Sequence, residues 1–492
     1  MRFDNRLKQY YRAIIAYSGY ILILAGIVEL TPLAITFFFP QEFVFASGFL
    51  IPSAALLVIG GILWILFRSS RSTVLTALEG GVIVLFCWII VCLFSALPFI
   101  IIMGLNFTQA VFESVSGWTT TGLSVVDVVE APKCILLWRS IMQLAGGAGL
   151  VIIMLSSITG PTGPGLSIAE GRSDQLVPNV RHSAKLVLKL YLTYVILGTI
   201  IYNLAGMSFF DAINHSFAAF STGGFSTHPQ SIGYWDLPRI EIITCFFMLC
   251  GNLNFITAYL VFKRKFRFVL KNGELHILAM IIPIAFLVLL FGVVASIYQV
   301  PLKSIRVSIF EAISAITTTG FSTVSYQTWN GLGFLVLITL MLIGGGASST
   351  AGGIKQYRIY LLLKSIQWRL KRTFLPRTVI LDRSIWMGEI KKNITDNHIT
   401  QISTFIFMYI VFYLIGVFIL TLNGYTLRDS LFEFASALGT VGLSIGLTQA
   451  SSPPVVLWTE SLAMFLGRLE FFVIIISIIK LAKDFISFFR TR

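Results

Sequence analysis

Acidic residues are scarce in this 492-residue chain: 22 Asp and Glu stand against 36 Lys and Arg, and all charged types together make up 12%. A water-soluble domain carries about twice that charged fraction, so a fully solvated surface is excluded. Cysteine is scarcer still. The five (Cys87, Cys92, Cys134, Cys245, Cys250) are odd in number and four sit within apolar spans, which indicates neither a disulfide framework nor a metal cluster. The histidines His182, His215, His228, His276 and His398 are scattered. No H-x-x-x-H, C-x-x-C, P-loop or nucleotide fingerprint occurs, and glycine-rich Gly163–Gly171 follows no strand signal. No enzyme and no organic cofactor on this chain is expected.

What is abundant is apolar: 56% of residues are hydrophobic, 42 of them Phe, and mean hydropathy is +0.86. That defines a polytopic membrane protein in a lipid bilayer. The net charge of +14 would suit nucleic acid, but its placement argues for none. Twenty-nine of the 36 basic residues fall in six places: 1–12, 68–71, 172–189, 263–271, 355–392 and 480–492. All six share one side if the chain crosses ten times, and the positive-inside rule makes that side cytoplasmic, both termini included. Lys133, Arg139, Arg239, Lys303, Arg306 and Arg428 lie towards the other side, and Arg468 lies within the membrane. Runs such as Lys263–Arg267 and Lys364–Arg377 lack the three-residue spacing of a voltage sensor. The apolar run Ala13–Phe39 is too long for a cleaved signal peptide and has no small-x-small exit.

One stretch is written four times: SGWTTTGLS (Ser116–Ser124), AFSTGGFS (Ala219–Ser226), AITTTGFS (Ala315–Ser322) and ALGTVGLS (Ala437–Ser444). In register on Gly122, Gly224, Gly320 and Gly442, threonine always stands two residues earlier (Thr120, Thr222, Thr318, Thr440). Serine stands two later (Ser124, Ser226, Ser322, Ser444). Nine residues before the glycine are Glu113, His215, Glu311 and Glu433. Sixteen before it are Asn106, Ser208, Ser304 and Thr426, all expected helix N-caps. With Leu or Phe directly after each glycine (Leu123, Phe225, Phe321, Leu443), agreement at five offsets makes this an internal repeat. Each cap starts an apolar segment of about three turns, too short to cross a bilayer, which ends in an extended T-x-G. Four helix C-termini and four strips of carbonyls on one axis would replace the water shell of a small cation. The fourth copy, Thr440-Val441-Gly442, matches the start of the potassium-channel filter TVGYG. Surface turns are the bland alternative, and the membrane-length segments flanking every copy argue against it.

The expected plan is an all-α membrane protein of ten transmembrane helices with four re-entrant half-helices around one pore. Residues 1–78 form a two-helix hairpin, in which Glu29 is assigned an interhelical hydrogen bond. Four repeats follow, at 79–183, 184–274, 275–395 and 396–492, each with outer helix, half-helix, filter strip and inner helix. The inner helices carry irregular stretches 24 to 27 residues after the filter glycines: Gly146–Gly149, Gly251-Asn252, Gly344–Gly346 and Gly467-Arg468. A packing face of small residues would equally account for the first of these. It does not account for Gly344-Gly345-Gly346-Ala347-Ser348-Ser349-Thr350-Ala351-Gly352-Gly353, which is expected to unwind into a gating loop below the filter. Gln143 and Asn252 are candidates to line the pore.

With four such filters and GGGASSTAGGIK, the chain resembles the Trk/Ktr/HKT superfamily of potassium uptake proteins, and the N-terminal hairpin is similar to its TrkH branch. The resemblance implies potassium binding at Thr119, Thr120, Thr121, Gly122, Ser221, Thr222, Gly223, Gly224, Thr317, Thr318, Thr319, Gly320, Gly439, Thr440, Val441 and Gly442. It also implies a homodimer in a prokaryotic cytoplasmic membrane, with a cytosolic TrkA-type ring below whose ATP/ADP or NAD occupancy moves the loop. Glycine at all four strips goes with potassium, and a sodium-permeable or Na+/H+-coupled transporter is the alternative. Repeat two departs from the pattern with Ser221-Thr222-Gly223-Gly224. Arg468 matches a family arginine. It lies roughly 21 Å along the last inner helix from Pro454, where a charge costs at least about 2.5 kcal/mol. It is expected to face the pore near the loop as an electrostatic barrier.

Overall fold

In the computed structural model, residues 2–67, 77–149, 180–376, 378–379 and 381–490 are described. Gly163–Gly171, the basic positions between 68 and 71 and the end of the first inner helix beyond Gly149 lie outside them.

The N-terminal hairpin packs Arg2–Leu30 on Ala46–Leu66. A Cβ on Gly19 or Gly60 would press into the other's carbonyl oxygen, and Ser53 Oγ donates to Gly26 O at 2.7 Å. Small residues thus let the two backbones approach closely, as helices in lipid do. Glu29 forms no interhelical hydrogen bond, contrary to the sequence expectation. It is fully buried, and neither carboxyl oxygen has a partner among the described residues. The short turn Pro40–Phe45 joins the two helices and carries Glu42. Its carboxylate accepts from Lys133 N at 3.1 Å and Cys134 N at 3.2 Å. The first inner helix opens at Pro132 with no side-chain cap of its own, so the hairpin supplies the acceptor that this helix N-terminus lacks.

Each repeat contains the expected elements. The outer helices are Ala77–Ser95 continued by Leu97–Met103, Val180–Leu204, Gly273–Leu289 with a π turn to Val294, and Asp396–Leu422. The half-helices are Phe107–Trp118, Phe209–Phe220, Pro301–Ile316 and Leu427–Gly439. Three start at the expected caps: Asn106 with a full capping box to Gln109, Ser208 and Thr426. The third does not. It begins at Pro301, whose fixed φ suits a first helical turn. Ser304 is an interior residue whose hydroxyl donates back to Tyr298 O.

Six described helices are long and apolar enough to cross a membrane, or eight if each of two bent pairs counts as one span. The bends occur in inner helices: Pro238–Asn252 with Phe255–Phe262 at 113°, and Pro454–Leu469 with Phe471–Ser487 at 98°. The other two inner segments are Lys133–Ala148, which runs into undescribed residues, and Gly331–Ile343, which ends at the glycine-rich loop before Gln356–Phe374. Among the described residues, the inner helices of repeats two and four are therefore broken as well as that of repeat three. Near the ends of three inner segments the half-helices come very close: a Cβ on Gly146, Gly251 or Gly467 would press into the carbonyl of Trp118, Phe220 or Leu438, each four residues before its strip glycine. A small antiparallel hairpin, Ser384–Met387 with Ile390–Asn393, is the one non-helical element among the described residues. Exposed large side chains such as Phe37, Phe291 and Phe418 fit a surface that faces lipid.

Candidate functional site

The four T-x-G strips lie together at the C-terminal ends of the half-helices. Their middle threonines all take left-handed backbone, with φ of 57° at Thr120, 52° at Thr222, 53° at Thr318 and 50° at Thr440. A β-branched residue rarely occupies that region, and four in register hold strain of the kind that functional sites retain. The glycines two residues on are also at positive φ, so backbone direction alternates along each strip.

The strips close into a ring. A Cβ on Gly122 would overlap Gly223 O, one on Gly224 would overlap Thr319 O, one on Gly320 would overlap Val441 O, and one on Gly442 would overlap Thr121 O. Each glycine thus abuts the carbonyl of the residue before the glycine in the next repeat, and the fourth repeat returns to the first. A cavity of about 610 Å³ opens over this ring and is lined by all four glycines.

The offsets shared by the repeats have a structural reason. Glu113 accepts from Ser124 Oγ at 3.0 Å and Val125 N at 2.9 Å, while Arg139 Nε bonds it at 2.7 Å. His215 Nε2 lies 3.0 Å from Ser226 Oγ. Glu433 accepts from Ser444 Oγ at 2.6 Å and Ile445 N at 3.2 Å. In repeat three, Glu311 turns instead to Thr323 N and Oγ1 and to the Tyr326 hydroxyl. The residue nine before each glycine therefore ties down the end of its own strip. The sequence carried that signal as an unexplained offset. Behind the fourth strip, Thr448 Oγ1 lies 2.6 Å from Glu433 and 3.1 and 3.2 Å from the two oxygens of buried Glu460. The Thr448 hydroxyl thus stands between two carboxyls with a single proton to offer.

On the other side of the ring lies Gly344–Gly353. Gly345 N bonds Gly352 O at 3.1 Å and Ile354 N bonds Leu342 O at 3.0 Å, which folds the segment back on itself. Its crest meets the strip threonines. Thr222 Oγ1 donates to Thr350 Oγ1 at 3.1 Å, and Gly352 N donates to Thr318 Oγ1 at 2.8 Å. A Cβ on Gly352 would overlap Thr440 Oγ1 and Gly439 O. The flanks are pinned by side chains from outside the glycine-rich run. Gly346 N reaches Asn252 Oδ1 at 3.1 Å, Ala347 N reaches Glu274 Oε1 at 2.6 Å, and Lys355 Nζ donates to Ala351 O at 2.6 Å. A second cavity of about 580 Å³, bordered by Ala347, Ser348, Lys355, Arg358 and Glu470, approaches the loop from the side away from the strips.

Arg468 sits at this junction. Its Nη1 donates to Thr350 O at 2.6 Å and its Nη2 to Gly147 O at 3.2 Å and to Gly146 O. Glu470, the neighbour considered as its pair, is instead held by both oxygens on Arg358 Nη2 at 2.8 Å. Asn252 and Gln143, the two candidates for pore lining, are both buried. Asn252 holds the loop, and Gln143 is buried against strip two, its Nε2 2.5 Å from Gly223 O. Glu274 escaped sequence reasoning because it stands 73 residues before the loop amide it holds, whereas Lys355 closes the GGGASSTAGGIK stretch itself.

Four re-entrant helix-and-strip units, closed into a ring of backbone oxygens within a bundle of apolar helices, define a pore-loop membrane transport protein. Residues 46–487 match the TrkH family, described as cation transport protein. The chain is 31% identical over 486 residues to the Trk system potassium uptake protein TrkG of Escherichia coli, covering 94% of this chain and 97% of that protein. It is 30% identical to the Trk system potassium uptake protein TrkH of Halomonas elongata, with 94% and 98% covered. Among solved structures, the crystal structure of the potassium transporter TrkH from Vibrio parahaemolyticus aligns with a TM-score of 0.83 and 28% identity, over 95% of this chain and 98% of that one. The chain belongs to the TrkH family. It is a multi-pass membrane transporter and not an enzyme.

Proposed function

We propose that this protein moves potassium ions across the cytoplasmic membrane of a prokaryotic cell, and that the ring of four strips is its selectivity filter. The observation that carries this reading is the closure of the ring, each strip glycine abutting the next repeat's carbonyl. Carbonyl dipoles so arranged replace a hydration shell at fixed spacing, and relatives named as potassium uptake proteins support potassium as the cargo. In this reading the ion binds along Thr119–Gly122, Ser221–Gly224, Thr317–Gly320 and Gly439–Gly442.

Gly344–Gly353 is the gate, seated under the filter in a closed position, and Arg468 is a fixed positive charge that both holds the loop and opposes cation dwell below the filter. The Trk system in the relatives' names fits a cytosolic TrkA-type nucleotide-binding partner, carrying ATP/ADP or NAD, that acts on the loop beneath a homodimer. Both termini are then cytoplasmic. The test is ion flux through the purified protein in proteoliposomes under set gradients. Potassium flux well above sodium flux is expected; equal flux of both ions overturns the reading.

A further inference from the structure

The strips are not braced alike. In the first, the Thr119 and Thr121 hydroxyls bond each other at 2.8 Å, and Ser116 Oγ accepts from Gly122 N at 3.1 Å. In the third, Thr317 and Thr319 are paired at 2.8 Å, and Ser314 Oγ donates to Phe321 O at 2.5 Å. The fourth has Ser436 Oγ accepting from Gly442 N at 2.9 Å. Repeat two lacks both devices: Ala218 stands where the others have serine, and Gly223 where they have Thr or Val.

Gln143, from the inner helix of repeat one, fills that place. Its Nε2 donates to Gly223 O at 2.5 Å, and its Oε1 accepts from Phe225 N at 3.2 Å. It is fully buried, and a Cβ on Gly223 would overlap its amide. The two ends of the amide thus hold the backbone on either side of Gly224, the stretch that internal hydroxyls brace at neighbouring atoms in the other strips. The equivalent positions of the other inner helices, counted from their own strip glycines, are Cys245, Met341 and Ala463. None of them carries an amide.

We propose that Gln143 is a specificity-determining positioning residue of the second strip, a brace lent by repeat one in place of the two side chains that repeat two lacks. The proposal rests on the filter reading above. A carbonyl strip discriminates between ions through the placement and stiffness of its oxygens. Without the amide, Gly223 O and Phe225 N lose their side-chain partners, and the strip is free to settle around a smaller ion.

The experiment measures the potassium-to-sodium permeability ratio of full-length protein in proteoliposomes for wild type, Gln143→Met, Gln143→Ala, and Gln143→Ala combined with Gly223→Thr. Gln143→Met keeps the volume and removes the amide. It is expected to lower the ratio about five- to tenfold, the scale of one buried hydrogen bond. In the double variant, the hydroxyl that Gly223→Thr introduces gains the space left by Gln143 and can pair with Ser221 as Thr121 does with Thr119. Its ratio is expected to return to within about twofold of wild type. A wild-type ratio in Gln143→Met, or a double variant no better than Gln143→Ala, overturns the proposal. If the single variants do not assemble, an assembled and selective double variant supports it, and an unselective or unassembled one overturns it. A wild type that fails to discriminate sinks the filter reading itself, which separates the two failures.

Discussion

Gly320 of the third strip lies so close to the carbonyl oxygen of Val441 in the fourth that no Cβ fits between them. The same relationship, advanced by one repeat each time, closes the ring. A side chain on one strip glycine thus moves two strips at once: its own, whose φ is positive, and the neighbour's.

Gly122→Ser tests this. The serine Cβ would meet Gly223 O, and φ of 94° at this position disfavours any side chain by about 1–3 kcal/mol. The potassium-to-sodium permeability ratio should fall while the protein still assembles. An unchanged ratio, read from reversal potentials, would argue against a four-strip filter.

Gly352→Ala places a methyl group where Thr440 Oγ1 and Gly439 O already stand, so the loop cannot seat as it does here. Basal potassium flux should rise and dependence on a regulatory partner should weaken, and deleting residues within Gly344–Gly353 should do the same. Flux is measured with and without the partner. Variants that fold, dimerise and stay shut would assign the loop to packing.

Arg468→Gln removes a charge while leaving an amide to reach Thr350 O or Gly147 O. Selectivity should persist, because it resides in the strips, and flux should increase. Single-ion flux rates alongside permeability ratios check both halves. Failure to fold would instead mark Arg468 as a purely structural tie between Gly146–Gly147 and the loop.

Glu460→Gln and Glu460→Ala separate a proton-bearing carboxyl from an ionised one. The glutamine amide can donate to Thr448 Oγ1 as a protonated Glu460 does, so Gln should be tolerated. Alanine leaves a void beside Thr448, whose hydroxyl then keeps only Glu433, and should lower stability by about 1–3 kcal/mol. Thermal unfolding in detergent reads the difference. Equal destabilisation by both would show that Glu460 acts as an ionised acceptor.

By itself the sequence determined the class, the repeat and the register. The few charged residues and long apolar runs leave a chain no stable place but the bilayer, and four copies of T-x-G with caps at a constant distance dictate four half-helices ending alike. Those signals are local, so they survive without a fold. Even here one local rule lost: Pro301 started the third half-helix ahead of Ser304.

Only the tertiary structure decided how the copies complete one another. The ring is built from contacts between repeats far apart in the chain, and the braces cross similar distances: Gln143 to Gly223, Glu42 to Lys133, Arg468 to Thr350. Such partners share no spacing, because their proximity follows from packing rather than from chain order. The same holds for the inner-helix breaks. Glycine marked the positions, but what each glycine admits there is a half-helix carbonyl, and that carbonyl is in place only when the bundle is assembled.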